Sequence, residues 1–293
     1  MNKTYLSLGL MSGTSMDGVD ASIIQSDGET KYKVIADQYF EYPQGMYKDL
    51  TKLRDKIKSS KDLKKLSEEI KNIEKKITLF HAQAVKQILK KSNGNVEFIG
   101  FHGQTIYHDA KEKISKQLGD GKLLSKLTKK TVIYNFRQND LKNGGEGAPL
   151  TPVFHKMIEK KLDLKPVSFF NIGGILNRTT IWDNGELTAK DEGPGMCLID
   201  KWIRTYSKKK YDTNGDIAKS GKVNKIVLKK YLNNYRASNS RQSSYDISDF
   251  DISFAKGLSL KDGAATLTLN TANYFITNFK INEQFADASK EKK

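Results

Sequence analysis

Two apolar, strand-forming runs near the N-terminus, residues 5–10 and 19–24, bracket the stretch Met11-Ser12-Gly13-Thr14-Ser15-Met16-Asp17-Gly18. Strand, small-residue turn and strand make a hairpin, and this pairing constrains everything the first lobe can build. Ser12, Gly13, Thr14, Ser15 and Gly18 carry little side chain, so backbone N–H groups in the turn can approach an anion closely. Two glycines and three hydroxyls suit a polyphosphate. An ordinary hairpin loop tolerates the same residues, and this segment alone leaves both readings open.

The remaining pattern is α/β. Strands are expected near 33–40, 96–101 and 131–136, with helical segments near 45–58, 62–91 and 151–160. After Lys165-Pro166 the opening order returns: an apolar run over 167–170, the turn Asn171-Ile172-Gly173-Gly174, and a second run over 175–182. This recurrence predicts two related lobes, 1–165 and 166–293, each opening with a hairpin whose turn can touch phosphate. A helix from about Met196 to Tyr206, entered through Gly193-Pro194-Gly195, offers first-turn N–H groups to an anion.

Composition narrows the function classes. A chain of 293 residues can bury a real core and suits two domains. No apolar run approaches the roughly 20 residues that span a bilayer, and Met1-Asn2-Lys3-Thr4 leads directly into a strand, so a cytoplasmic protein with no membrane partner is expected. Cys197 is the only cysteine, which excludes an internal disulfide, and no Cys/His spacing suits a metal. The net charge of +16 invites a nucleic-acid reading. Most of the excess is lysine interleaved with Asp49, Asp55, Asp62, Glu68, Glu69 and Glu74, while Leu63, Leu66, Ile70, Ile73 and Ile77 recur at helical spacing. That is the solvated face of amphipathic helices, and no specific nucleic-acid partner is expected.

Four polar constellations are expected at strand ends or on loops, where α/β proteins gather ligand groups. They are Phe101-His102-Gly103-Gln104-Thr105, Gln117-Leu118-Gly119-Asp120-Gly121, Asn135-Phe136-Arg137-Gln138-Asn139-Asp140, and Asn143-Gly144-Gly145-Glu146-Gly147-Ala148-Pro149-Leu150. Asp140 precedes the glycine-rich loop and can act there as a general base or simply cap a turn. Arg137 can orient it or hold an anionic substrate. The chain lacks Gly-x-x-x-x-Gly-Lys-Ser/Thr, His-Glu-x-x-His and Gly-x-Ser-x-Gly, which removes support for P-loop NTPases, zincins and common serine hydrolases.

These motifs, with His108, Asp212, Asn214-Gly215 and Leu260-Lys261-Asp262-Gly263-Ala264-Ala265-Thr266-Leu267-Thr268, resemble the anhydro-N-acetylmuramic acid kinase family of the actin, Hsp70 and sugar-kinase superfamily. The resemblance spans nearly the whole chain. It implies two actin-like (ribonuclease H-like) lobes with a central cleft, and ATP-dependent phosphorylation of 1,6-anhydro-N-acetylmuramic acid at O6. Water opens the anhydro ring to give N-acetylmuramic acid 6-phosphate, a step of peptidoglycan recycling. Carried over by position, Gly13, Thr14, Ser15, Met16, Asp17, Gly18, Val19 and Asp20 form the ATP phosphate loop. Asp140 is the base, and His102, Gln104, Thr105 and Arg137 bind the sugar. Mg2+ is expected as cofactor without identified ligands, and a homodimer is compatible with the resemblance.

Asn135 stands where the family usually has aspartate and Glu146 where it has glutamine, while segment 234–241 lacks the usual Pro-Pro-Lys-Ser-like run. Family members continue past the helix that begins near Asp262 with a strand, a glycine-rich nucleoside segment and a closing helix. Because the sequence stops at Lys293, an incomplete second lobe is expected, with weaker ATP affinity or no turnover compared with longer members. The alternative function is a catalytically silent sugar- or nucleotide-binding remnant.

Overall fold

The computed structural model describes residues 3–92, 95–238, 245 and 247–290. The chain divides into two compact units, Met1–Asp163 and Leu164–Lys293.

The first unit opens with the antiparallel meander β1 (Tyr5–Ser12), β2 (Gly18–Ser26) and β3 (Tyr32–Glu41). Leu8, Leu10, Val19, Ala21 and Ile23 alternate inward, as the pleat requires, and are buried. There follow α1 (Gln44–Lys56), α2 (Ser60–Lys65), α3 (Ser67–Ile88), β4 (Phe98–Asp109), β5 (Ile114–Leu118), α4 (Gly121–Thr128), β6 (Thr131–Tyr134), α5 (Phe136–Lys142) and α6 (Pro152–Leu162). The sheet order is β3-β2-β1-β4-β5, with β6 also on β4; β1, β4 and β6 run parallel. Three antiparallel strands joined to parallel strands through helices are the arrangement of a ribonuclease H-like lobe. α3 covers the sheet because Ile70, Ile73, Ile77, Val85 and Ile88 form one buried stripe. The helix expected over 62–91 is divided at Leu66, and its first piece begins with a reciprocal Ser59–Asp62 capping box.

The second unit repeats the meander as β7 (Val167–Ile172), β8 (Ile175–Ile181) and β9 (Leu187–Pro194). It is followed by α7 (Cys197–Tyr206), α8 (Asp216–Lys219), α9 (Lys225–Ser238) and α10 (Leu260–Lys290). The stretch 234–241 begins in α9 and then passes outside the described residues. Trp202 anchors the core with Leu198, Ile199, Ile203 and Leu267. Its indole N–H donates to the Leu260 carbonyl at 3.0 Å, and Gly263 lies so close to the ring that a Cβ there would overlap it. Glycine in this part of the 260–268 motif is therefore a packing requirement. Among the described residues no helix is long and apolar enough to cross a membrane.

Candidate active site

Strand register brings the sequence motifs of the first unit to one end of its sheet. Leu10 pairs with Phe101, and Phe101 with Tyr134, across the three parallel strands. Immediately beyond that row lie Ser12 at the end of β1 with Gly13 just after it, His102 to Thr105 on β4, and Asn135 to Asp140 after β6. This is the C-terminal edge of parallel strands, where α/β sheets present ligand-binding groups.

The turn after β1 is tightly held. The Gly13 carbonyl accepts from the Met16 N–H at 3.2 Å and from Gln104 Nε2 at 2.8 Å. Met16 takes φ +60° and buries its side chain, while Thr14 and Ser15 remain exposed. Ser15 Oγ donates to Asp17 Oδ1 at 2.7 Å. The two glycines differ in kind. Gly18 is demanded by the fold, since a Cβ there would come within 2.6 Å of the Tyr39 ring. Among the described residues a Cβ on Gly13 would meet only Ser15 Oγ, at 3.5 Å, an ordinary contact, so its bare Cα answers no crowding by them. What it provides is open approach to the backbone. Val19 is buried in β2 and Asp20 is exposed. Partial desolvation, then the charge of Asp17, raises the Asp20 carboxyl above the ordinary value.

His102, Gln104 and Thr105 lie inside β4, contrary to the expectation of a strand end or loop. The strand continues because Gly103, at φ +72°, kinks it: its outer edge passes from β6 to β5, while β1 stays paired as far as Ser12 opposite Gln104. Any Cβ at Gly103 would overlap the Leu118 carbonyl. Thr105 Oγ1 accepts from Gln117 Nε2 at 2.7 Å. His102 has both ring nitrogens engaged: Nδ1 lies 2.7 Å from the Gly103 carbonyl and Nε2 accepts from Arg137 Nε at 2.9 Å. Since guanidinium only donates and carbonyl only accepts, the ring is neutral with its proton on Nδ1. Burial, then the Arg137 charge, lowers its pKa to about 4.

Arg137 and Asp140 lie on α5, a helix where a strand end or loop was expected. Asn135 enters it in the left-handed conformation at φ 62°, which asparagine tolerates. One residue of the glycine-rich loop joins the two side chains. Gly147 donates its N–H to Asp140 Oδ2 at 2.7 Å and accepts Arg137 Nη1 on its carbonyl at 2.8 Å. Gly145 lies against the same carboxylate, where any Cβ would overlap it. Replacing Gly145 with alanine is therefore expected to displace the carboxylate from the Gly147 N–H and to lower the unfolding midpoint, which calorimetry on G145A checks.

Other motifs have structural duties. Asp120 caps α4 by accepting the Leu123 N–H at 2.9 Å, while Glu74 of α3 accepts the Gly119 N–H at 3.2 Å. Asp212 receives the Ile217 and Ala218 N–H groups at the start of α8. At the entry to α7 the N–H groups of Gly195, Met196 and Cys197 are already taken by the Gly173 and Gly174 carbonyls, which removes them from the anion site expected there. Sequence reasoning missed His81, whose buried ring bonds Ser12 at the root of the turn. Its only signal was a polar residue on an apolar helical stripe.

Comparison with known proteins agrees with the motif pattern. Residues 5–257 match the family model described as anhydro-N-acetylmuramic acid kinase. A protein of that name from Pelagibacter ubique (strain HTCC1062) is 53% identical over 277 residues, 93% of this chain and 74% of the relative. One from Agrobacterium fabrum (strain C58 / ATCC 33970) is 38% identical over 274 residues, 92% of this chain and 74% of the relative. Among solved structures, the ethanolamine utilization protein EutJ from Carboxydothermus hydrogenoformans aligns over 86% of this chain and 74% of its own, with TM-score 0.33 and 10% identity. The family match runs from the first strand past the second unit's meander and takes in both the Gly13 turn and the Asp140 network. The chain thus belongs to the anhydro-N-acetylmuramic acid kinase family, whose members are ATP-using phosphotransferases.

Proposed function

We propose that this protein phosphorylates 1,6-anhydro-N-acetylmuramic acid on O6 with ATP, opening the anhydro bridge with water, in cytoplasmic recycling of peptidoglycan sugars. The observation that carries the reading is the Arg137–Gly147–Asp140 network at the same sheet edge as the Gly13 turn, in a chain of this family.

In this reading N–H groups between Gly13 and Asp20 hold the ATP phosphates. Asp140, fixed at Oδ2 by Gly147, takes a proton from water at its remaining oxygen. The water oxygen bonds to the anomeric carbon as the bond from that carbon to O6 breaks, and O6 bonds to the γ-phosphorus as ADP leaves. Arg137, whose Nε is oriented by His102, holds the substrate carboxylate. Thr105, half-buried, stands on the sugar side, while Gln104, fully buried, acts through its bond to the Gly13 carbonyl.

The residues present fit Mg2+ carried in by the nucleotide. Asp17 and Asp20 offer hard carboxylate oxygens beside the turn, and their mutual repulsion is one a cation relieves. Among the described residues no group of three or more His, Cys, Asp or Glu side chains could hold a metal alone. When bound, Mg2+ neutralises charge developing between the β- and γ-phosphates.

Purified protein given the anhydro sugar and Mg-ATP is expected to release ADP and N-acetylmuramic acid 6-phosphate in equal amounts, read by coupled assay and mass spectrometry. Binding of sugar and ATP without product would replace this reading with that of a silent binding protein.

A further inference from the structure

The Gly13 turn has two feet, Ser12 where β1 ends and Asp17 just before β2. Tyr42 holds both. Its backbone N–H donates to the Asp17 carbonyl at 2.7 Å, and its hydroxyl lies 2.9 Å from Ser12 Oγ. Behind Ser12 stands His81 of α3, with Nε2 at 3.2 Å from the same Oγ and Nδ1 at 2.9 Å from the Ile77 carbonyl. Ser12, Tyr42 and His81 are each no more than 2% exposed.

The directions of these bonds follow from their ends. The Ile77 carbonyl can only accept, so Nδ1 carries the ring proton and Nε2 of the neutral ring accepts. Ser12 therefore donates to His81, and its oxygen is left to receive the Tyr42 hydroxyl. The chain runs one way, Tyr42 to Ser12 to His81 to Ile77, with every proton assigned. A leucine would fill the His81 position on the apolar stripe of α3 without the cost of burying an imidazole. Of the ring's two nitrogens Nδ1 is spent on its own helix and Nε2 on Ser12, and Ser12 is the last β1 residue paired with β4, opposite Gln104. Fully satisfied buried networks of this kind fix one geometry rather than adding much stability.

We propose that Tyr42, Ser12 and His81 form a buried strut that sets the opening of the Gly13 turn, with His81 as a positioning residue for nucleotide phosphate. The inference rests on the reading of this turn as the phosphate loop. His81 touches no ligand; it acts through Ser12 on the peptide that leads into Gly13.

Calorimetric titration of the full chain with ATP and with adenosine tests both levels separately. The unaltered protein is expected to bind ATP well above adenosine. His81→Phe, Ser12→Ala and Tyr42→Phe should each weaken ATP about tenfold and leave adenosine unchanged. The His81→Phe, Ser12→Ala double variant should be no weaker than either single variant, because one linked unit is lost once. Tyr42→Phe removes a single hydroxyl and remains informative if the others fold poorly. As a control, Ile88→Val lowers the unfolding midpoint from the same helix and should not change ATP affinity. Equal affinity for ATP and adenosine in the unaltered protein overturns the phosphate-loop reading and the strut with it. A phosphate-dependent gain that survives in the three variants, additive losses in the double variant, or weakened ATP binding in the Ile88→Val control overturns the strut alone.

Discussion

Asp140→Asn is expected to lower kcat by about 10⁴-fold, at the upper end of what a positioned general base contributes. ATP affinity and the unfolding midpoint should stay close to those of the unaltered protein. The asparagine side chain keeps an oxygen that can accept the Gly147 N–H, so the loop and the Arg137 bond to the Gly147 carbonyl can persist. What is lost is the basic oxygen. A glutamate at this position would retain basicity but push its carboxylate toward Gly145, where there is no spare room. Single-turnover measurement with radiolabelled ATP checks the outcome, and turnover within tenfold of the unaltered enzyme would remove Asp140 from the role.

The second large effect is on stability in mild acid. His81 and His102 are buried as neutral rings, and desolvation lowers each pKa from 6.5 to about 4. Above pH 6.5 neither the folded nor the unfolded chain protonates them, and their contribution is complete. As pH falls from 6.5 toward 4, the unfolded chain takes up protons that the folded chain refuses, and stability drops. Below 4 both states are protonated and the loss levels off. Across that window of roughly 2.5 pH units each ring costs on the order of 3 to 4 kcal/mol. Asp62, Asp251 and Asp262 are held below their ordinary value by backbone and side-chain hydrogen bonds, so their contributions are lost at lower pH. Urea unfolding at pH 7, 5.5 and 4 should show the decline, and His81→Phe should remove about half of it. A profile flat between 6.5 and 4 would mean that the rings are hydrated in the folded state.

The long elements were legible because periodicity had room to register. The apolar stripe of α3 recurs over 22 residues, and the strands around the Gly13 turn alternate cleanly. α5 was not legible, with 7 residues opening on a left-handed asparagine, nor was β5, with 5 residues of mixed polarity. Neither is long enough to show a period. The kink at Gly103 was hidden for a related reason: a glycine inside a strand reads as the strand's end. At the candidate site the residue types marked segments that the sheet gathers at one edge, but not their partners. Nothing in the order of residues reveals that His102 spends its Nε2 on Arg137, 35 positions away, or that Gly119 gives its N–H to Glu74, 45 positions back. Those duties depend on pairings between segments far apart in the chain, which local sequence does not encode.

The bond from Gln104 to the Gly13 carbonyl spans 91 positions of sequence. During synthesis the β1–β2 hairpin emerges first and can close locally within microseconds. Its strap arrives only after three helices have been made and β4 has inserted beside β1, a distant pairing whose entropy cost must be met before it returns any gain. The turn is thus among the earliest pieces of this protein to take shape, yet it is not finished until β4 is in place. A nascent chain carries the motif well before it carries the site, and misplacement of β4 would leave a hairpin of correct sequence without its strap.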